Sequence, residues 1–133
     1  MRRLTSALAL LALITTGFCS AAYAQDTGPA AARYQACMQQ ASSTAAMQAC
    51  QRTGLADADK RLNEVYAKTM AALPADRRAK LRTAERTWIT FRQQDCNVWT
   101  GRDTGTMATV STGSCMIDRT EARIAELQSL VQH

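Results

Sequence analysis

The sequence predicts an all-α protein, a small antiparallel helical bundle held by two disulfides, with one long Thr/Gly loop before the last helix. Three observations support this prediction. Apolar residues recur at steps of three and four along most of the chain, as on helices that bury one face. Leu73-Pro74 separates two such stretches by a joint so short that the helices should lie antiparallel. The cysteines that follow the N-terminal leader are even in number, as in small exported domains.

Residues 1–24 have the three parts of a secretory signal peptide. Arg2-Arg3 gives a basic start, residues 8–14 are apolar, and Ala22-Tyr23-Ala24 is a small-x-small cleavage site. We expect cleavage before Gln25 and Gram-negative-type export to the periplasm or the medium. An uncleaved anchor is disfavoured because the apolar run is too short to span a bilayer comfortably, so no membrane span is expected after cleavage.

Lipid attachment at Cys19 is a further alternative. The bacterial lipid-attachment signal has a small residue just before the cysteine and an aliphatic residue three positions before it. This chain has Phe18 and Thr16 at those positions. We therefore expect Cys19 to leave with the signal peptide.

The remaining cysteines predict a disulfide framework. They are Cys37, Cys50, Cys96 and Cys115. Four cysteines allow three pairings, and the sequence alone does not choose among them. We favour the local pairs Cys37–Cys50 and Cys96–Cys115, since each closes a loop of roughly 15–20 residues, for which the chain-entropy model gives about 3 kcal/mol. A zinc site is disfavoured because no Cys-x-x-Cys is present and the single histidine is His133, so no metal or cofactor is expected.

The mature chain is predicted to hold one helical domain at 31–133, after a flexible segment at 25–30. Two short helices are expected at 31–40 and 44–51. Neither is long enough to be stable alone in water. A Cys37–Cys50 bridge would join them into a hairpin.

Two long helices follow. Thr53-Gly54 starts the first, which ends at Leu73 because a residue before proline avoids the α region. Pro74 suits the first turn of the second, at about 75–97. Its inner stripe holds residues at steps of three and four, namely Leu81, Glu85, Trp88, Arg92 and Cys96.

Residues 100–114 differ from the rest of the chain, because they hold three glycines, five threonines and little helix propensity. We expect an ordered loop closed by the Cys96–Cys115 disulfide, with a weakly signalled strand at 107–110. The final helix is expected at about 115–131.

The mature chain is mildly basic. Loss of Arg2-Arg3 reduces 16 basic residues to 14, against 11 acids, which gives a net charge of about +3. The densest basic cluster holds Arg77, Arg78, Lys80, Arg82 and Arg86. It is either a solvated helix face or a docking patch for an anionic envelope polymer or protein. Nucleic acid is disfavoured as a partner, because the chain is exported and has no basic groove interleaved with aromatic residues.

Enzyme chemistry has little support in the sequence, and no catalytic residue is expected. Histidine-based nucleophilic catalysis would depend on the terminal His133, and paired cysteines are not nucleophiles. A glycosidase needs two facing carboxylates. Glu85 and Asp95 lie ten residues apart on one predicted helix and so point about 80° apart.

If the faces of the long helices meet, a polar and aromatic cluster is expected between them. Its candidate members are Asn63, Tyr66, Glu85, Trp88, Arg92 and Arg123. One interpretation is a ligand or partner pocket. The favoured interpretation is a satisfied polar core that fixes the packing register of two helices.

Many of these residues belong to a pattern that covers most of the mature chain. It holds Tyr34 and Cys37, Cys50, Leu62-Asn63 with Tyr66, Trp88-Ile89-Thr90-Phe91-Arg92 with Cys96, and Cys115 with Thr120, Arg123 and Leu127. In these positions the chain resembles the secreted bacterial family named for the N-terminal domain of lysozyme inhibitor LprI. The segment from Trp88 to Cys96 is the most specific part. The resemblance implies a small, mostly helical, disulfide-bonded domain that is periplasmic or secreted.

The resemblance also implies inhibition of lysozyme-type muramidases, with lysozyme as the protein partner. The alternative is a non-catalytic envelope interaction protein that does not inhibit lysozyme. Animal lysozymes are basic, as this chain is, so long-range charge would slow their encounter. Inhibition would then require an acidic segment or a protruding loop of this chain to enter the lysozyme cleft. We expect it in the Thr/Gly loop, at Asp103, Thr104, Gly105 and Thr106.

Overall fold

The computed structural model describes residues 29–100 and 105–132, and in this part of the chain it contains four helices and no strand. The helices are α1 (Pro29–Gln40), α2 (Thr44–Ala72), α3 (Ala75–Thr100) and α4 (Thr106–Ser129). The predicted all-α class is confirmed. The signal peptide at 1–24 lies outside the described residues, as does His133, and cleavage stays a prediction.

Both predicted disulfides are present. Cys37–Cys50 joins α1 to α2 with a Cα–Cα distance of 5.7 Å, and Cys96–Cys115 joins α3 to α4 with one of 5.6 Å. Both distances lie in the range that a disulfide requires. The local pairing is therefore confirmed, and each bridge fastens two helices that are consecutive in the chain.

The predicted break at Thr53-Gly54 is wrong, because α2 runs unbroken through it. The helix begins at the Ser43 cap, whose hydroxyl accepts a hydrogen bond from the Ala46 backbone N–H at 3.2 Å. Gly54 is buried and lies against Tyr34 of α1. A Cβ at this position would come within 2.8 Å of the Tyr34 ring. The glycine therefore permits close helix packing and does not end a helix.

The joint between α2 and α3 is as short as predicted. The Leu73 backbone N–H donates to the Thr69 carbonyl at 3.2 Å, and the Leu73 carbonyl accepts from Arg78 Nη1 at 3.0 Å. Pro74 precedes the first residue of α3. From this joint α3 runs in the opposite direction to α2, and Arg92 of α3 reaches Asp59 in the middle of α2, although both helices pack mainly against α4.

The long loop predicted at 100–114 is mostly helix, since α4 begins at Thr106, and the strand predicted at 107–110 is also wrong. Gly105 has a φ of +63°, a backbone conformation that favours glycine, and it precedes the first turn of α4. Gly113 lies within α4, where a Cβ would come within 2.6 Å of Gln51 Oε1. Gln51 itself donates to the Val110 carbonyl and, at 3.0 Å, to Ser114 Oγ.

The most extensive helix contact joins α2 and α4, which run parallel. Their contacts advance together along both helices: Gln51 with Val110, Arg61 with Glu121, and Thr69 with Leu127. Helix α3 packs antiparallel against α4, and α1 packs antiparallel against α2. None of the described helices is both long enough and apolar enough to cross a membrane.

Two apolar clusters fill the bundle. The larger one, near the α2–α3 joint, is built on Leu62, Leu73, Leu81, Ile124 and Leu127. The smaller one holds α1 in place and is built on Tyr34, Cys50 and Ile117. On both α2 and α4, polar residues lie between the two clusters, and they contact Arg92 of α3. A polar layer thus separates the apolar parts of the core.

Candidate functional site

The predicted inner stripe of α3 faces the bundle. Leu81, Glu85, Arg92 and Cys96 are buried, and Trp88 is half-buried against the larger apolar cluster. Helical steps of three and four align these side chains on one face. The stripe therefore brings two charged groups into the interior, where each needs a partner.

Arg92 finds its partners on both neighbouring helices. Its Nη1 donates to Asp59 Oδ1 of α2 at 2.7 Å and to Thr120 Oγ1 of α4 at 2.6 Å. Thr120 in turn donates to the Met116 carbonyl at 2.7 Å. Only 10% of the Arg92 side chain is exposed, against 42% of Asp59, so the bond to Thr120 is buried while the bond to Asp59 is partly open to water. Arg92 thereby connects α2, α3 and α4 at one level of the bundle.

Arg123 of α4 pairs with Glu85 of α3. Its Nε and Nη2 both donate to Glu85 Oε2, at 3.0 and 2.9 Å, and its Nη1 donates to Glu126 at 2.9 Å. Burial acts to lower the pKa of Arg123, but the hydrogen bonds and charges of Glu126 and Glu85 outweigh it and raise that pKa above its ordinary value. The guanidinium is therefore a permanent charge in this cluster.

The Trp88 ring lies close to both of these cations. The Arg92 guanidinium carbon is 5.0 Å from the ring centroid, and that of Arg123 is 5.8 Å away. Both distances are within the range of cation–π attraction. We call the assembly the Trp88 cluster, and its members are Asp59, Glu85, Trp88, Arg92, Thr120 and Arg123.

The structure places two of the expected cluster residues differently. Asn63 is exposed on α2, and Asp59, one turn earlier, contacts Arg92 in its place. Tyr66 packs against the larger apolar cluster, as Trp88 does. Sequence reasoning missed Asp59 and the hydroxyl of Thr120 as partners. The available signal was that Asp59 and Asn63 are four residues apart and so share a helix face.

The expected partner-binding loop is only partly described. Asp103 and Thr104 lie outside the described residues, while Gly105 and Thr106 are exposed where α4 begins. Val98 and Met107 flank this loop, and they are 75% and 45% exposed. The Cys96–Cys115 disulfide joins α3, near its C-terminal end, to α4 at a point nine residues after Thr106. The loop end of the bundle thus presents apolar side chains to solvent.

The basic residues predicted as a cluster all lie in the first half of α3. We call them the basic segment: Arg77, Arg78, Lys80, Arg82 and Arg86. Arg78 donates to the Leu73 carbonyl, and Arg86 donates weakly along its own helix to the Arg82 carbonyl at 3.4 Å. Within the described chain, none of the five forms an ion pair, unlike Arg92 and Arg123.

Acidic groups near the Trp88 cluster are engaged by arginines of α4. Glu85 pairs with Arg123, and Asp95 lies 2.8 Å from Arg119. The Asp95 carboxylate also lies near the sulfurs of Cys96 and Cys115, with all three ligand atoms within 4.8 Å of one another. Those sulfurs form a disulfide and so offer no thiolate to a metal. The Asp95–Arg119 ion pair and the Cys96–Cys115 disulfide therefore join α3 to α4 at the same level.

Comparison with known protein families gives a match over most of the described chain. A family model described as lysozyme inhibitor LprI matches residues 35–127. No curated protein and no solved structure matches the chain. The matched region begins inside α1 and ends near the close of α4, so it includes both disulfides and the whole Trp88 cluster.

Proposed function

Because the chain belongs to the family of lysozyme inhibitor LprI, we propose that it is an exported, non-catalytic protein that binds and inhibits lysozyme-type muramidases. The observation that carries this proposal is the length of the family match, which spans all four helices. The two disulfides are consistent with export to an oxidising compartment. A role without catalysis agrees with Glu85 and Asp95 being paired to arginines.

We place the inhibitory surface at the loop end of the bundle. Its exposed apolar residues, Val98 and Met107, can fill hollows on a partner surface, and the loop between them carries Asp103. The Cys96–Cys115 disulfide closes the chain segment that contains these residues, and such a constraint lowers the entropy cost of binding. Asp103 supplies a negative charge that can attract a basic partner, and Arg102 beside it in the sequence balances the net charge of the loop.

The basic charge of the chain is compatible with this placement. Arg86 is the member of the basic segment nearest to Val98 along α3, and the two are twelve residues apart. That separation is about 18 Å along a helix, against a Debye length of about 8 Å at physiological ionic strength. Repulsion between the basic segment and a basic lysozyme bound at the loop end is therefore largely screened.

A stoichiometric lysis assay tests inhibition. Purified mature protein is added in excess to chicken-type, goose-type and invertebrate-type lysozymes acting on bacterial cell walls. We expect at least one of them to be inhibited with saturating stoichiometry. Full lysis by all three lysozymes would contradict the proposal. A Cys96→Ala variant, followed by circular dichroism, shows how much of any inhibition depends on the folded bundle.

A matched pair of variants tests the surface. Asp103→Lys changes the loop, and Asp76→Lys makes the same charge change in the first turn of α3, beside the basic segment. We expect Asp103→Lys to weaken inhibition roughly tenfold, the scale of losing a charge-assisted contact, and Asp76→Lys to leave it nearly unchanged. Equal effects of the two variants would remove the loop from the proposal.

The basic segment supports a second candidate function, the binding of an anionic envelope component without lysozyme inhibition. Its five cations have no carboxylate partner within the described residues, so their charge is available to a ligand. Cosedimentation with peptidoglycan or an anionic wall polymer over a salt series tests it. We expect binding to weaken as salt rises. Binding that is indifferent to salt would count against this function.

A further inference from the structure

An apolar groove lies at the joint end of the bundle, opposite the loop end. It has a volume of about 210 Å³ and is open to solvent. Its lining comes from the end of α2, the first turns of α3 and the residue that follows α4: Leu73, Arg77, Lys80, Leu81, Ala84 and Leu130. Val131, the next residue after Leu130, is also partly exposed. The groove therefore extends the larger apolar cluster to the surface.

The lining favours an alkyl chain over a peptide. Almost all of its surface is apolar, and its leucine and alanine side chains offer no hydrogen-bond partner. A peptide segment would bring backbone N–H and C=O groups that need such partners when they are buried. An alkyl chain has no such need. At roughly 30 Å³ for each water-sized unit, the groove has room for about seven methylene groups, so the end of a longer chain would remain in contact with solvent.

The rim of the groove is cationic. Arg77 and Lys80 lie on it and form no ion pair with another described residue. Arg82 and Arg86 belong to the same helix but do not line the groove. An anionic group at the end of an alkyl chain would meet Arg77 and Lys80 where the chain leaves the groove. Charge and shape thus indicate the same ligand.

We propose that this groove binds an anionic amphiphile, with its alkyl chain against Leu73, Leu81, Ala84 and Leu130 and its headgroup held by Arg77 and Lys80. The proposal is independent of lysozyme inhibition. It shares with the second candidate function only the use of positive charge from the basic segment. It adds a ligand with an alkyl chain, which the binding of an anionic polymer would not require. Polymer binding depends on charge alone, whereas this site also needs the chain, so the failure of one can be told from the failure of the other.

Calorimetric titration of the mature protein with monomeric laurate tests the site. Two probes separate the contributions: dodecyltrimethylammonium has the same chain with the opposite charge, and butyrate has the same headgroup with a short chain. We expect laurate to bind at one site per protein and both control probes to bind at least about tenfold more weakly. Equal binding of laurate and dodecyltrimethylammonium, or of laurate and butyrate, would overturn the proposal.

Charge-matched variants locate the headgroup. Arg77→Gln with Lys80→Gln removes two charges at the rim, and Arg82→Gln with Arg86→Gln removes two from the same helix away from the groove lining. We expect the first pair to raise the laurate Kd at least about tenfold and the second to raise it by less than about threefold. Equal effects of the two pairs would show a diffuse charge attraction and overturn the site.

A second pair of variants locates the alkyl chain. Ala84→Trp fills the groove, and Ala79→Trp places the same side chain at an exposed position of α3 outside it. We expect Ala84→Trp to abolish laurate binding and Ala79→Trp to preserve it, with circular dichroism showing both variants folded. Full binding by folded Ala84→Trp would overturn the proposal. If that variant does not fold, the charge-matched pairs still decide it.

Discussion

The two halves of α3 hold their arginines in opposite settings. In the second half, Arg92 is buried and bonded to Asp59 and Thr120, and it lies over the Trp88 ring. In the first half, the basic segment is exposed except for the half-buried Arg78, and none of its members forms an ion pair with another described residue. The second half of α3 thus carries an arginine that stabilises the fold, and the first half carries five basic residues without a carboxylate partner in the described chain.

The difference teaches which arginines stabilise the fold and which are available for binding. A buried arginine is held by hydrogen bonds, and its loss leaves a carboxylate without its partner. An exposed arginine has its charge screened by water and salt and adds little to stability. The spacing of Arg78, Arg82 and Arg86 at four-residue steps even places like charges together on one helix face.

The largest expected effect concerns the disulfide beside the Trp88 cluster. Replacing Cys96 and Cys115 together by serine should lower the free energy of unfolding by about 3 kcal/mol. The bridge joins residues 19 positions apart, and closing a loop of that length restricts the unfolded chain. Denaturant unfolding without reductant measures it. A change below about 1 kcal/mol would mean that the end of α3 is held mainly by the Trp88 cluster.

The next effect is the loss of a cluster arginine. Arg123→Gln removes the partner of Glu85 and one of the two cations beside Trp88. The free energy of unfolding should fall by about 2 kcal/mol, because a buried carboxylate loses its charge-assisted hydrogen bonds. Arg119 offers an exposed comparison, and Arg119→Gln should cost less than about 1 kcal/mol. A loss of less than about 1 kcal/mol in the free energy of unfolding for Arg123→Gln would mean that the Trp88 cluster does not stabilise the fold.

The smallest effect has the opposite sign. Arg82→Gln removes the central charge of the Arg78, Arg82 and Arg86 series. At low ionic strength it should raise the free energy of unfolding by about 0.2–0.5 kcal/mol for each like-charge pair relieved. The gain should disappear in high salt because of screening. Destabilisation by this variant would show that the basic segment contributes to the fold, against the comparison drawn above.

Much of the fold is predictable from local patterns. The helical periodicity of α3, the joint at Leu73-Pro74 and the local disulfide pairs all follow from residues close together in the chain. The errors at Gly54 and Gly113 have a common cause. In both places a glycine read as a breaker lies inside a helix, because Tyr34 or Gln51 packs where a Cβ would be. Low helix propensity is here outweighed by tertiary packing.

The candidate sites were predictable to different degrees. Trp88, Arg92 and Arg123 were named from the sequence because they fall in a recognisable motif or on the same stripe. The apolar groove had no sequence signal, since its lining combines α3 with Leu73, which follows α2, and Leu130, which follows α4. The partner-binding loop at Asp103 stays a prediction.

By itself, the sequence determined that α3 has one inward stripe and that positive charge gathers in its first half. Both are properties of a single helix, fixed by its period of 3.6 residues. The tertiary structure alone decided that Asp59 and Thr120 bond to Arg92 and that Asn63 stays exposed. It also decided that the basic segment finds no carboxylate in the described chain. These outcomes depend on where α4 packs against α2 and α3, and helical periodicity does not encode that position.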